Sequence, residues 1–169
     1  MAITLRSTKG SALTYAELDA NFVELSGGSS AYASLGLYSN QTIAINSTAT
    51  IQWTAKVDDN SWYNASNYRI TPTTAGRYFV AMQVHFPIVG NSFSVNVQIV
   101  KNSTISKISD FAISGGSMNG VTLHANTIIN MNGSTDYITG LVFNGDTASS
   151  RNITGDSNQQ WTTLEIFKL

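Results

Sequence analysis

The stretch YFVAMQVHFP, residues 78–87, leaves its backbone little choice. Tyr78, Val80, Met82, Val84 and Phe86 share one parity, and Phe79, Ala81, Gln83 and His85 the other. A strict two-residue period keeps its apolar set on one face only in an extended strand, and Pro87 then stops the ladder. The pattern recurs. Phe93, Val95, Val97 and Ile99 alternate with Ser94, Asn96 and Gln98. Val121, Leu123, Ala125, Thr127 and Ile129 make another strand, Tyr137, Thr139, Leu141 and Phe143 one more, and WTTLEIFKL runs over 161–169. Shorter candidates lie at 32–38, 42–45, 49–57 and 67–70. The spacing predicts about 8–10 short strands separated by turn residues, an all-β sandwich.

Residues 1–25 speak differently. Thr14 followed by Glu17 forms a capping box at the start of a helix. Tyr15, Leu18, Phe22 and Leu25 then follow at helical spacing as one apolar stripe. SGGSS, residues 26–30, ends the helix and forms a Gly/Ser joint. The division is therefore an N-terminal segment 1–25, a joint 26–30 and a head 31–169. A helix of about twelve residues is marginal alone, so its stripe needs a partner. That partner is its own domain, two further copies in a three-helix stalk, or another protein; the Gly/Ser break favours the last two.

Composition narrows the function classes. Hydrophobic residues make up 42% of the chain, enough for a packed core. Charged residues are only 11%, against roughly 25% in an ordinary soluble domain. Charge is depleted at interface cores, so a surface this poor in it suits burial against other copies or partners, or an extracellular or virion habitat. Net charge is −1, with no basic patch to displace phosphate counterions, so no nucleic-acid partner is expected. No apolar run of about 18 residues is present, so no membrane partner is expected. The absence of cysteine removes disulfides, thiol catalysis and zinc–thiolate sites.

Catalysis has little to work with. The two histidines, His85 and His124, fall on the polar parity of their strands. No nucleophile elbow, phosphate loop or dinucleotide fingerprint occurs. Asp58 and Asp59 are adjacent, so on a strand they would point apart; beside Asn60 they read as a turn. The chain is expected not to be an enzyme and to hold no metal or cofactor. Calcium is the one ion with a candidate donor set, in the turns at 132–136, 144–146 and 155–158, although such turns are ordinary loop chemistry. Trp62 and Tyr63 are the candidate glycan contacts, if they stand at the surface; otherwise the tryptophans fill the sandwich.

Two stretches resemble known families. LRSTKGSALTYAELDANF, residues 5–22, resembles a short N-terminal module on structural proteins of tailed bacteriophages, notably phages of cyanobacteria and other marine bacteria. There it precedes different C-terminal parts, as a docking tag would. The resemblance implies a virion protein, assembled in the host cytoplasm and docked to tail, baseplate or capsid proteins. On this chain the contact would use Leu5, Leu13, Leu18 and Phe22, with Arg6 and Lys9 at its rim.

NYRITPTTAGRYFVAMQVHF, residues 67–86, resembles the signature of the globular head shared by complement component 1q and tumour necrosis factor. Pro72, Gly76, Tyr78 and Phe79 match its strand, Gly-containing turn and departing strand. VQIVKNSTI, 97–105, resembles that family's strand ending in Lys-Asn-Gly, with Ser103 in place of the Gly. IINMNGSTDYITGLVF, 128–143, resembles its segment ending in a Gly-Asp turn, and WTTLEIFKL occupies the place of its closing strand. The resemblance implies a jelly roll that forms a tight homotrimer around aromatic and apolar residues. Tyr78, Phe79 and Phe167 are the candidates for trimer axis or core, and alternation alone does not say which face is which. The function expected is a trimeric short fibre, tail appendage or capsid decoration, with recognition of a host surface glycan as the alternative.

Overall fold

The computed structural model describes residues 10–25, 31–87, 93–116 and 118–169. The chain divides into two units between Ala31 and Tyr32. In the first, helix α1 spans Tyr15–Leu25. Its start is the capping box in both directions. The Glu17 amide donates to Thr14 Oγ1 at 3.2 Å, and the Glu17 carboxylate accepts the Thr14 amide at 2.8 Å. The Leu18 amide then makes a helical bond to the Thr14 carbonyl. Tyr15 and Leu18 are exposed. Phe22 and Leu25 have helical backbone, but their side chains lie outside the described set, as do Leu5, Arg6, Lys9 and the joint 26–30.

The second unit is built from β1 (Tyr32–Gly36), β2 (Gln41–Ile43), β3 (Ser47–Thr50), β4 (Thr54–Val57), β5 (Tyr63–Asn64), β6 (Arg69–Ile70), β7 (Ala75–Phe86), β8 (Phe93–Lys101), β9 (Thr104–Ile113), β10 (Val121–Asn132), β11 (Ile138–Asn144), β12 (Arg151–Ile153) and β13 (Thr163–Lys168). A five-stranded sheet runs β10-β7-β13-β1-β4. The other runs β5-β6-β11-β8-β9, with β3 on the same edge of β11 as β6. β2 and β12 form a separate pair. The pairings are antiparallel and the C-terminal strand is central, as in a jelly roll.

The core lies between these sheets and follows the alternation. β7 buries Tyr78, Val80, Met82, Val84 and Phe86; β10 buries Leu123, Ala125, Ile129 and Met131; β8 buries Val95, Val97 and Ile99. The sheets approach closely at Gly140 of β11. A Cβ there would stand 2.8 Å from both the Met82 sulfur and the Trp53 ring, so only glycine fits. Gly76 has φ +149° at the start of β7, and a Cβ would meet the Lys168 stem at 2.7 Å.

Two features of the sheets lie beyond what the alternation decides. On β11 the core parity is Ile138, Gly140 and Val142, while Tyr137, Thr139, Leu141 and Phe143 face outward. Both parities of that strand are largely apolar, so alternation could not choose between them. β9 has no counterpart among the strands that the alternation predicts. It is an edge strand whose register slips by one residue opposite Ile99 and Val100, so Ile105 and Ile108 fall three apart and both are exposed. A bulge breaks the period on which strand recognition depends.

Candidate functional site

The outward face of the five-stranded sheet carries a row of large apolar side chains. Register places Ile128 of β10 opposite Phe79 of β7, Phe79 opposite Phe167 of β13, and Phe167 opposite Tyr32 of β1. One line of four residues therefore crosses four strands. The Phe79 and Phe167 rings are in contact, with centroids 5.2 Å apart and planes tilted by 37°. Ile128 is 58% exposed and Phe167 39%. Beyond the end of β13, Leu169 is exposed too, its amide tied to the Arg77 carbonyl.

The next line is Asn126, Ala81, Glu165 and Ser34, and the one after it His124, Gln83, Thr163 and Gly36. These rows are nearly uncharged. Glu165 is the exception, and its carboxylate accepts the Tyr32 phenol and the Ser34 hydroxyl, the latter at 2.8 Å. Burial first, then the bond to Glu165, pushes the Tyr32 phenol up. At the far end the His85 ring lies 4.6 Å from that of Trp161, and its Nδ1 is 2.8 Å from Thr154 Oγ1. Burial holds His85 below its ordinary value. A face of this kind offers apolar contact and neutral hydrogen bonding rather than bond-making chemistry.

The structure sorts the candidate residues. Tyr78 is fully buried and belongs to the core, edge-on to Trp62 at 5.6 Å between centroids, with its hydroxyl on the Thr74 carbonyl. Phe79 and Phe167 belong to the outward row. Ile128 and Tyr32 join them without having been singled out in the sequence. The signal that finds the row is a doublet: Tyr78-Phe79, Ile128-Ile129 and Ile166-Phe167 each put an apolar residue on both parities of a strand.

The proposed glycan contacts are corrected. Trp62 is only 2% exposed, and its indole N–H donates to Thr73 Oγ1. Tyr63 is half-buried with its hydroxyl on the Trp53 carbonyl, and burial pushes its phenol up to about 12. Trp62 therefore presents no ring face to solvent. Both are placed by Asp58, whose carboxylate accepts the amides of Trp62 and Tyr63 at 2.9 and 2.8 Å; the Asp58-Asp59 doublet is thus a turn.

The acidic turns are likewise occupied by protein donors. Asp136 accepts Lys101 Nζ, Asn102 Nδ2 and the Asn132 amide. Asp146 accepts the Ala148 and Ser149 amides and Arg151. Asp156 accepts the Asn158 and Gln160 amides. Their oxygens shape the loops, and among the described residues no three carboxylates or histidines converge on a metal position.

No family model and no curated protein matches the chain. Solved structures do. Eiger tumour necrosis factor from S. frugiperda superimposes with a TM-score of 0.56 at 11% identity, covering 82% of this chain and 91% of its own. Murine APRIL superimposes with a TM-score of 0.55 at 13% identity, covering 82% and 99%. At that identity the likeness speaks for the fold: the head is a jelly roll of the tumour necrosis factor type.

Proposed function

We propose that this chain is a virion structural protein of a tailed bacteriophage, a homotrimer whose N-terminal segment docks to the particle while the jelly-roll head projects outward as a short fibre, tail appendage or capsid decoration. The observation that carries the assembly is the exposed row Ile128–Phe79–Phe167–Tyr32. An Ile or Phe side chain contributes about 1.5–3 kcal/mol when taken fully out of water. Three copies meeting along their rows would gain several such terms, and the Glu165 carboxylate in the next line is already bonded to Tyr32 and Ser34. The resemblance of residues 5–22 to phage docking modules supports the virion role, and the low charge of the chain fits a surface shared among copies. The role is architectural and adhesive rather than catalytic.

Sedimentation equilibrium of the full chain at micromolar concentration tests the assembly, with three chain masses expected. A monomer mass throughout would overturn it. Purified particles stripped of this protein should regain it from solution, and a chain lacking residues 1–25 should assemble as a trimer yet fail to rejoin them.

A further inference from the structure

The head has a second open face, and it differs in kind. On the outward side of the sheet containing β11 and β8 lies a groove of about 550 Å³. Its floor includes Thr139 and Gln98, each only 9% exposed although neither faces the core between the sheets. Thr139 donates its hydroxyl to the Tyr68 carbonyl. Gln98 donates its amide N–H to Asn96, and no donor among the described residues reaches its Oε1. One wall is Arg69, whose guanidinium carbon lies 3.8 Å from the centroid of the Tyr137 ring. The Tyr137 hydroxyl is held by Ser103 at 3.0 Å and its amide by Asn102 at 2.9 Å, so the ring is a fixed platform.

Charge decides what such a groove takes. Arg69 is the one charged residue among those lining it. The ion pairs described in the head are Lys101–Asp136 and Arg151–Asp146, and Arg69 is in neither. A guanidinium held over an aromatic ring can still offer N–H groups to a planar anion. Around it stand neutral donors and acceptors, Thr48, Thr50, Asn67 and Gln98, with Leu141 supplying an apolar patch. One cation for a carboxylate, amides and hydroxyls for sugar hydroxyls, and a little apolar surface for a ring face match one ligand class.

We propose that this groove binds an acidic saccharide, a carboxylate-bearing sugar unit of a surface polysaccharide, with the carboxylate on Arg69 and ring hydroxyls on Gln98 and the threonines. The groove lies on the sheet opposite the apolar row, within a single head, so each chain carries one site whether or not it assembles.

Calorimetric titration of the full chain with a short oligogalacturonate, and with a neutral maltooligosaccharide of the same length, tests this. The acidic probe is expected to bind once per chain and roughly tenfold or more tighter than the neutral one, with affinity falling as salt rises. Arg69→Met, which keeps a stem over Tyr137, should remove that preference. Asn67→Asp serves as a second variant at an exposed position; it places a carboxylate beside the guanidinium and should abolish acidic binding without touching the core. Equal affinity for both probes, no binding of either, or acidic binding unchanged in the folded variants would each overturn the proposal. Binding of one probe per three chains would place the site at an assembly seam instead, and would also count against it.

Discussion

Phe79 and Phe167 stand directly opposite each other on adjacent central strands, rings in contact, and both on the side away from the core. Their chain neighbours Tyr78 and Ile166 are fully buried, so each strand is apolar on both parities here. A lone head needs only the inner set to fold. Threonine or glutamine at the outer positions would serve the sheet as well and keep it soluble. A contiguous apolar line on a sheet face with few charges therefore points to association rather than to folding.

Ile128 offers the cleanest test, because it is exposed in the single head and sits at the open end of the row. Ile128→Asp places a charge that assembly would have to desolvate against Phe79, which is costly without a partner. The variant is expected to melt cooperatively as a folded head yet sediment as a monomer at micromolar concentration. A trimer with unchanged dissociation behaviour would take the row out of the interface.

How much of this could be read in the chain depended on whether a strand had one wet face. β7 and β10 alternate cleanly, and their core residues follow directly from parity. β11 is apolar on both sides, so parity does not choose its inward set. β9 is bulged and at an edge, so it left no period to see. β5, β6, β2 and β12 have two or three residues, too few to alternate. The apolar row is a property of register between residues far apart in sequence, such as Phe79 with Ile128 and Tyr32 with Phe167, which no local pattern encodes. Arg69 over Tyr137 is hidden for the same reason.

The β8–β9 hairpin turns on Asn102 and Ser103, with φ of +48° and +68°. Both central residues are left-handed, the geometry that favours Asn-Gly. Asn tolerates it and Ser does so at a cost of about 1 kcal/mol or more. Ser103→Gly relieves that strain, offset in part by the loss of the exposed bond to the Tyr137 hydroxyl and by greater freedom of the unfolded chain. The net expectation is a gain of roughly 0.5 kcal/mol, read as a higher urea midpoint with an unchanged slope. A fall in midpoint would mean that the Ser103–Tyr137 bond outweighs the backbone strain.

His85 gives the head a pH dependence of known sign. Burial disfavours its charged form, so its folded pKa lies below the ordinary 6.5. Beneath 6.5 the unfolded chain binds a proton that the folded head resists. The stability is therefore complete above that value and declines as pH falls toward the folded pKa. Asp136 and Asp146 are shifted below 3.8, so their contributions are lost only as pH falls beneath that value. Between about pH 7 and about pH 5 the slope thus reports His85. His85→Gln should flatten the urea midpoint across this window. A slope unchanged in the variant would assign it elsewhere.

The N-terminal segment should hold by weak apolar contacts used several at a time. Leu5, Leu13, Leu18 and Phe22 are the apolar residues expected to make the contact, and Arg6 and Lys9 are the segment's cations. Full burial of a Leu or Phe contributes about 1.5–3 kcal/mol, whereas an exposed ion pair contributes about 0–1 kcal/mol. Phe22→Ala is therefore expected to weaken attachment to stripped particles far more than Lys9→Ala. Three segments on one trimer act at high effective concentration, so the assembled protein should bind well where a monomeric peptide of residues 1–25 binds poorly. Competition between peptide and trimer measures the difference directly. Equal affinities would remove avidity as the source of attachment. A greater loss from Lys9→Ala than from Phe22→Ala would make the contact electrostatic, and its salt dependence would then be steep.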